Sequence, residues 1–528
     1  MLRSRLVPAL ALLAAAALSA CGETESNVDP QNAASGGSGG ANEGGDFATG
    51  AGGAGAGSPS PDATPASRSG GNGQEAGALA DTGLDGFTMP VCESGLAPQP
   101  FYLSADDSNS MASPAIARED LLAGRAPDGK RIRTYEFLNY YNVLYDLADP
   151  ADPQLGVFTE MHPLTSTDGI IRYRLQVGVQ AFEIPRVPLV LTFVVDASGS
   201  LVGEGIERER AALTAIADEL QQGDVVNIVK WATNDGVLLQ SYLATGTAAD
   251  QEVLAEAAQK LAPGGGSDLH AGLVKGYELA NQHFDANKLN RVVLISDGGA
   301  NLGVTDRSAI AKAAASANDE GIFLVGIGVG PSEGYSDVLM DLVTDAGRGA
   351  YVYADSAEEA KSLFHDRFDE IMNVAARDVQ VELSLPPYIE IEEFYGEEYS
   401  TDPTFIEPQN LAPGDSMVFN QTVFLTDPTL ACGEDTVSVR VTWETPLTHL
   451  PREVAPAPVS LAELSAAPES LQARKANAII TYAEALKSGD PGALGPALDQ
   501  VSAAAAGTSD PDLAEIAALL ALHPALKK

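Results

Sequence analysis

The sequence predicts an α/β architecture: a doubly wound, Rossmann-like fold with a mainly parallel central sheet, flanked by a smaller β-rich domain and a C-terminal helical segment. Three observations carry this. Between residues 186 and 375 apolar runs alternate with helical stretches, the order of strand, helix and parallel strand. One run, Leu189–Val195, is apolar almost throughout, as a strand packed on both faces requires, and it stops abruptly at the acid and hydroxyls of a D-x-S-x-S sequence. From 376 to about 445 helix signals vanish, and alternating runs with Pro-rich breaks take their place.

Taken in chain order, residues 1–20 read as an export signal. Arg3 and Arg5 form a basic start, and Leu6–Ala17 is an apolar stretch too short to span a bilayer. Leu18-Ser19-Ala20-Cys21 resembles the lipobox that bacterial signal peptidase II cuts ahead of a lipidated cysteine, so Cys21 is the expected membrane anchor. Gly22, rather than Asp, after the anchor implies the outer membrane under the bacterial sorting rule, placing the chain in the cell envelope, periplasmic or surface-facing. Residues 21–90 are a Gly/Ala/Ser-rich tether with too few aromatic and β-branched residues to bury a core. Its root-mean-square reach as a flexible chain is about 45 Å. No later segment is long and apolar enough for a transmembrane helix.

Residues 91–185 read as an α+β region. Phe101-Tyr102 opens it, a helix is expected near 114–124, an amphipathic helix over Arg131–Leu147, and a half-solvated strand over Ile170–Val179. Within 186–375, strands are expected at Leu189–Val195, Val225–Trp231, Arg291–Ile295, Ile322–Ile327 and Ala350–Tyr353. Helices are expected at Glu207–Leu220, Ala248–Leu261, Leu269–Phe284, Ser308–Glu320, Ser336–Ala346 and Ala357–Ala375. Residues 376–460 read as a small antiparallel domain with strands at Val379–Leu385, Met417–Leu425 and Thr436–Trp443. Residues 461–528 are Ala/Leu-rich and helical over Glu469–Lys487 and Pro511–Ala525.

The net charge of −42, from 73 acidic against 31 basic residues, repels phosphate backbones and argues against nucleic acid as a partner. It favours divalent cations and basic partners, and equally serves as a solubilising surface. Apart from Cys21, the cysteines are Cys92 and Cys432. In an oxidising compartment they can form a disulfide, or stand as two separate buried thiols.

Asp196, Ser198 and Ser200 end the Leu189–Val195 run, and the carboxyl ends of strands are where open α/β sheets bind ligands. One carboxylate and two hydroxyls suit a hard cation such as Mg²⁺. Two further elements fall at later strand–helix junctions of the same sheet: Pro263-Gly264-Gly265-Gly266-Ser267-Asp268, and Ile295-Ser296-Asp297-Gly298-Gly299. Three such elements in order are far more specific than one, since Asp and Ser alone are ordinary helix caps.

Other chemistries find less support. Gly330-Pro331-Ser332-Glu333-Gly334 matches G-x-S-x-G, with Asp355 and His365 following in serine-hydrolase order, but Pro331 fixes φ beside the would-be nucleophile and no upstream H-G-G-G loop exists. Gly264-Gly265-Gly266 is not followed by G-K-[ST], which speaks against a nucleotide. The histidines lack zinc-site spacing; His270, beside the Ser267 loop, reads as a helix-surface residue. Acid-rich Glu390–Glu398 lacks the calcium-loop pattern and reads as a charged strand edge.

With these three elements the chain resembles the von Willebrand factor type A (VWA) domain and its metal-ion-dependent adhesion site. The resemblance implies a metal site of Asp196, Ser198, Ser200, Ser267 and Asp297, with hydroxyls bound directly and the acids acting largely through water. Ser267 stands where the family usually has Thr, keeping the oxygen but losing the methyl that restricts χ1. The segment Arg131–Tyr141 resembles the V-R-x-E-E-x-x-N-Y-F segment of bacterial YfbK-like lipoproteins. Asn290–Val304, Ala376–Val381 and Phe394–Glu398 resemble further segments of that family, so the likeness spans roughly 100–430 and fades over the last stretch. It implies a lipid-anchored protein, not an enzyme, that binds Mg²⁺, or Mn²⁺ or Ca²⁺, and through it an Asp or Glu carboxylate of a protein partner. A metal-independent envelope scaffold is the alternative.

Overall fold

The computed structural model describes residues 89–106, 109–150, 152–166, 168–315 and 321–527. Cys21, the export signal and nearly all of the tether lie outside them. Before the parallel sheet come strand β1 (Gln99–Ser104), helices α1 (Ala112–Leu122) and α2 (Thr134–Tyr140), and strands β2 (Gly156–Leu164) and β3 (Arg172–Gln180). The α/β unit follows with β4 (Leu189–Asp196), α3 (Glu204–Glu219), β5 (Val225–Trp231), β6 (Gly236–Leu243), α4 (Ala248–Gln259), α5 (Leu269–Gln282) and β7 (Leu289–Ser296). It is completed by α6 (Arg307–Ala315), β8 (Ile322–Gly328), α7 (Asp337–Ala346), β9 (Tyr351–Tyr353), α8 (Ala357–Lys361) and α9 (Phe368–Met372). Then come β10 (Ala376–Leu385), β11 (Ile389–Phe394), β12 (Glu398–Ser400), β13 (Gln409–Leu411), β14 (Ser416–Leu425), β15 (Thr436–Glu444), β16 (Pro451–Val454) and β17 (Val459–Ser460). Helices α10 (Leu461–Ala466), α11 (Leu471–Ser488), α12 (Pro491–Thr508) and α13 (Pro511–Ala521) end the chain.

The α/β sheet has the order β6-β5-β4-β7-β8-β9, parallel except for the β5–β6 pair. Every residue of β4, β7 and β8 is buried, which is why apolar stretches mark these strands in the sequence. Strand β6 was not expected from the sequence. It is an edge strand, half-solvated, with a register shift and Ser241 at φ 54°, and its apolar residues, Val237-Leu238-Leu239, make too short a run to mark it.

The regions 91–185 and 376–460 read as separate parts of the sequence, and strand pairing joins them. Strand β1 pairs with β10, and β3 pairs with β14 along nine residues, Arg172↔Phe424 to Gln180↔Ser416. Two antiparallel sheets result, β12-β1-β10-β15-β16 and β11-β14-β3-β2. Leu103, Val381, Leu383 and Val441 of one sheet share a buried cluster with Leu175, Val177 and Phe419 of the other. The α/β unit is therefore an insertion between β3 and β10 of a β-sandwich. Cys92 and Cys432 are joined by a disulfide with Cα atoms 4.9 Å apart, tying the chain ahead of β1 to the turn before β15. The amide of Gly433 on Pro90 O (2.7 Å) and that of Ser94 on Asp435 Oδ1 (2.9 Å) hold the same junction.

Two expected helices are corrected. The helix read over Arg131–Leu147 spans only Thr134–Tyr140, because Asn142 takes a left-handed φ of 39° and the chain then runs extended. Ser416 Oγ donates to Val143 O (2.8 Å), the Tyr145 amide donates to Gln180 Oε1 (2.8 Å), and the Tyr145 ring stacks on Phe158 at 4.6 Å between centroids. The stretch Ala357–Ala375 is broken by a π-helical turn over Ser362–Asp366 that separates α8 from α9. Of Ser308–Glu320, the described part is helical from Arg307 to Ala315.

The C-terminal helices start on side-chain caps at Ser470, Asp490 and Asp510, the last two followed by Pro at the first helical position. Helix α11 packs on α2, where Phe137 meets Tyr482 edge-on at 5.4 Å, and α12 and α13 pack in turn on α11. Among the described residues no helix is long and apolar enough to cross a membrane.

Helix α5 approaches the sheet through Gly272, facing Trp231, and Gly276, facing Val194. A β-carbon on Gly276 would collide with Val194 Cγ2. Gly276→Ala is expected to lower stability by about 1–3 kcal/mol, the usual cost of overpacking, measured by denaturant unfolding at equal m-value.

Candidate metal centre

The site begins where β4 runs out of apolar residues. Asp196 is its last residue and is fully buried, so its carboxylate needs partners. The Ser198 amide donates to Oδ1 at 2.8 Å and the Ser296 hydroxyl donates to Oδ2 at 2.7 Å. Burial pushes the Asp196 carboxyl up to about 7, the Asp297 carboxylate adds to the rise, and the bonds from Ser296 and Ser198 offset part of it.

The other elements converge on the same rim. Ser198 Oγ lies 2.9 Å from Ser200 Oγ. The Gly199 amide donates to Gly265 O (3.1 Å) and the Gly264 amide to Ala197 O (2.9 Å), joining the first loop to the glycine loop. In that glycine loop Gly265 has φ 83°, and the Gly266 amide donates to Thr233 Oγ1 (2.8 Å). Ser267 is buried, with its amide on Asn301 Oδ1 (2.9 Å) and its carbonyl accepting from the amides of Asn301 and Leu302 (both 3.0 Å). Asp268 does not face this rim as a ligand; its Oδ1 caps α5 by accepting from the Ala271 amide at 3.0 Å. Asp297 Oδ1 accepts from the Gly299 amide at 2.9 Å.

One point shows how these oxygens are arranged. A β-carbon placed on Gly299 would lie 2.9 Å from Asp297 Oδ1, 3.7 Å from Ser267 Oγ and 3.8 Å from Ser200 Oγ. Three of the five residues thus surround a small cradle that only glycine leaves open, and the other two, Asp196 and Ser198, are tied to it by the bonds above. A donor set of hydroxyls and carboxylates fits Mg²⁺, Mn²⁺ or Ca²⁺ and no soft metal.

Two participants were not expected from the sequence. Ser296, beside Asp297, orients the Asp196 carboxylate. Glu209 on α3 is fully buried, neither carboxyl oxygen has a well-formed hydrogen bond, and burial followed by the Asp196 charge holds its carboxyl well above the usual range. A signal for it was present: Ile206, Glu209, Leu213 and Ile216 fall on one apolar stripe of α3, and an acid on such a stripe is out of place.

The Gly330–Gly334 loop beside the rim is braced by α3 of the α/β unit and by α1 from outside it. Arg208 donates to Gly330 O and pairs with Glu119 of α1 at 3.1 Å, and the Ser332 amide donates to Glu119 Oε2 at 3.0 Å. The buried Ser332 hydroxyl lies 2.8 Å from both Asp120 Oδ1 and Arg125 Nη2. Asp355 pairs with Arg118 (2.6 Å), and His365 Nδ1 lies 2.5 Å from Glu219 Oε1. Ser332, Asp355 and His365 are therefore committed to three different partners and form no nucleophile relay. His270 sits half-buried in the first turn of α5.

Residues 191–366 match the family model of the von Willebrand factor type A domain. Over 288 residues the chain is 27% identical to the uncharacterized protein YfbK of Escherichia coli, covering 52% of this chain and 48% of that one. Over 204 residues it is 26% identical to inter-alpha-trypsin inhibitor heavy chain H3 of Mesocricetus auratus, covering 38% of this chain and 23% of that one. A solved von Willebrand factor type A structure from Catenulispora acidiphila aligns at TM-score 0.47 and 14% identity, over 70% of this chain and 91% of that one. The chain spans about half the length of YfbK and about a quarter of the heavy chain. Residues 191–366 are therefore a von Willebrand factor type A domain, set into a β-sandwich, and the similarity to YfbK reaches beyond that domain.

Proposed function

We propose that this chain is a lipid-anchored protein of the bacterial envelope, held to the membrane through Cys21, whose VWA domain binds Mg²⁺, or Mn²⁺ or Ca²⁺, and through it a carboxylate of a protein partner. A VWA domain supports protein–protein interaction or an adhesion scaffold as the coarse role. The observation that carries the finer reading is the cradle at Gly299, where oxygens of Asp297, Ser267 and Ser200 converge on one point.

In this reading Ser198, Ser200 and Ser267 offer neutral oxygens, while Asp196 and Asp297 supply charge and hold the hydroxyls in place. When bound, the cation supplies a positive centre that keeps an open position for an Asp or Glu oxygen of the partner. The rim also offers apolar surface to a protein: Val202 follows the first loop at 68% exposure, and Leu302, bonded through its amide to Ser267 O, is 38% exposed.

The test is thermal unfolding of the full chain after chelation, with and without added divalent ion. Stabilisation of about 2.7 kcal/mol is expected at a hundredfold excess over Kd. Asp196→Ala is expected to abolish the shift. No shift in the unsubstituted chain with any of the three ions would leave the scaffold alone standing. Gly299→Ala gives a second measurement. Its methyl group fills the cradle and Gly299 is not among the positive-φ residues, so the fold is expected to survive while the ion-dependent shift is lost. Partner capture from envelope extract is expected to be reversed by chelator; retention of every partner under chelation would refute metal-bridged binding.

A further inference from the structure

At the opposite end of the sheet, three arginines surround one ring. The guanidinium carbons of Arg291, Arg348 and Arg377 lie 5.3, 5.8 and 5.4 Å from the centroid of Phe323. One carboxylate serves this group: Asp378 pairs with Arg348 at 2.7 Å and with Arg377 at 3.0 Å. Arg291, near the start of β7, is 4% exposed and forms no ion pair among the described residues; its Nε donates to Met372 O at 3.3 Å. Burial, with the Arg377 charge added, pulls its guanidinium down to about 10. A buried guanidinium without a counter-charge is costly, and cation–π contact offsets only part of that cost.

Arg291 borders a cavity of about 30 Å³ at the junction of the α/β unit with the sandwich. Its walls also hold Arg348, Asn109, Asn373, Asn410, Glu370 and Asp415. The acids in this wall act elsewhere: Glu370 pairs with Arg367 at 2.6 Å, and the Asp415 charge bears on Arg367. Asn109 Nδ2 is used by Asn410 O. Asn373 accepts from the Val374 amide through Oδ1 (2.9 Å), which fixes its orientation and leaves a buried Nδ2 with no partner.

We infer that this cavity is a binding site for a small monovalent inorganic anion of chloride's size, which neutralises Arg291 where the inserted unit joins the sandwich. The volume admits about two waters, room for an ion of chloride's size. The overall charge of −42 repels chloride elsewhere on the surface, so a bound anion needs a built site and stands out against a low background.

Chlorine NMR linewidth, measured on the full chain as sodium chloride is titrated, tests this. The expected result is excess broadening that saturates and is displaced by nitrate, and not by gluconate at equal ionic strength. Arg291→Met is expected to remove the saturable component. Should that variant not fold, Arg348→Gln decides, because withdrawing one charge from the cavity wall is expected to weaken binding about tenfold. Absence of saturable broadening in the unsubstituted chain, or its persistence unchanged in a folded variant, would overturn the proposal and leave a cavity holding water.

Discussion

Burying the Asp196 carboxylate at the end of a strand that is itself wholly buried imposes the order of the site. Water cannot reach the group, so the protein must supply what water would have. The Ser198 amide and Ser296 hydroxyl do so, and each drags its own loop into position: the first carries Ser198 and Ser200, the second Asp297 and Gly299. The glycine loop is then fixed against the first loop by paired backbone bonds, which sets Ser267 opposite Asp297. With Asp297 nearby and Glu209 beneath, burial and mutual repulsion oppose ionisation beyond what these dipoles offset, so the Asp196 and Glu209 carboxyls are held up. A cation between the hydroxyls would favour the ionised Asp196, and that unmet need for positive charge is the electrostatic argument for the proposed metal.

The insertion gives this rim its bracing. Strands β1 and β3 must wait for β10 and β14, which follow the whole α/β unit in sequence, before the sandwich closes. The α/β unit is held at both ends of its own segment, by Arg186 on Asp224 where the chain enters and by Arg291 on Met372 O where it leaves. Helix α1 lies alongside β9 and sends Glu119 and Asp120 to the loop at Ser332, close to the rim. Arg133 extends the same support by pairing with Asp337 of α7 at 2.8 Å. The family-like segment Arg131–Tyr141 is therefore a clamp on the α/β unit rather than a part of the metal centre.

The sequence disclosed what burial on both faces dictates. Strands β4, β7 and β8 could be read because nothing but apolar side chains survives through most of their length, and the D-x-S-x-S stop could be read because it breaks such a run. Edge strand β6 was hidden by its solvation. The joining of the two flanking regions into one sandwich was hidden because alternation identifies a strand and not its partner. The helix break at Asn142 depends on tertiary bonds to Gln180 and Ser416, which no local pattern encodes. Glu209 is a different case, since an acid on the apolar stripe of α3 stands out in the residue pattern alone.

The distribution of positive charge decides which partners can dock. With 31 basic residues against 73 acidic ones, the arginines are scarce, and several are spent inside: Arg118, Arg133 and Arg208 bind acids of other elements, and Arg367 binds Glu370 of its own helix, at exposures of 14% or less. What remains outside is dominated by carboxylates. A partner presenting an acid to such a surface meets repulsion over a Debye length of about 8 Å. On the proposed reading the ion at Ser198, Ser200 and Ser267 supplies the local positive charge that such a contact needs. Binding would then be selective, because an acid docks only where the cation is held and is turned away elsewhere.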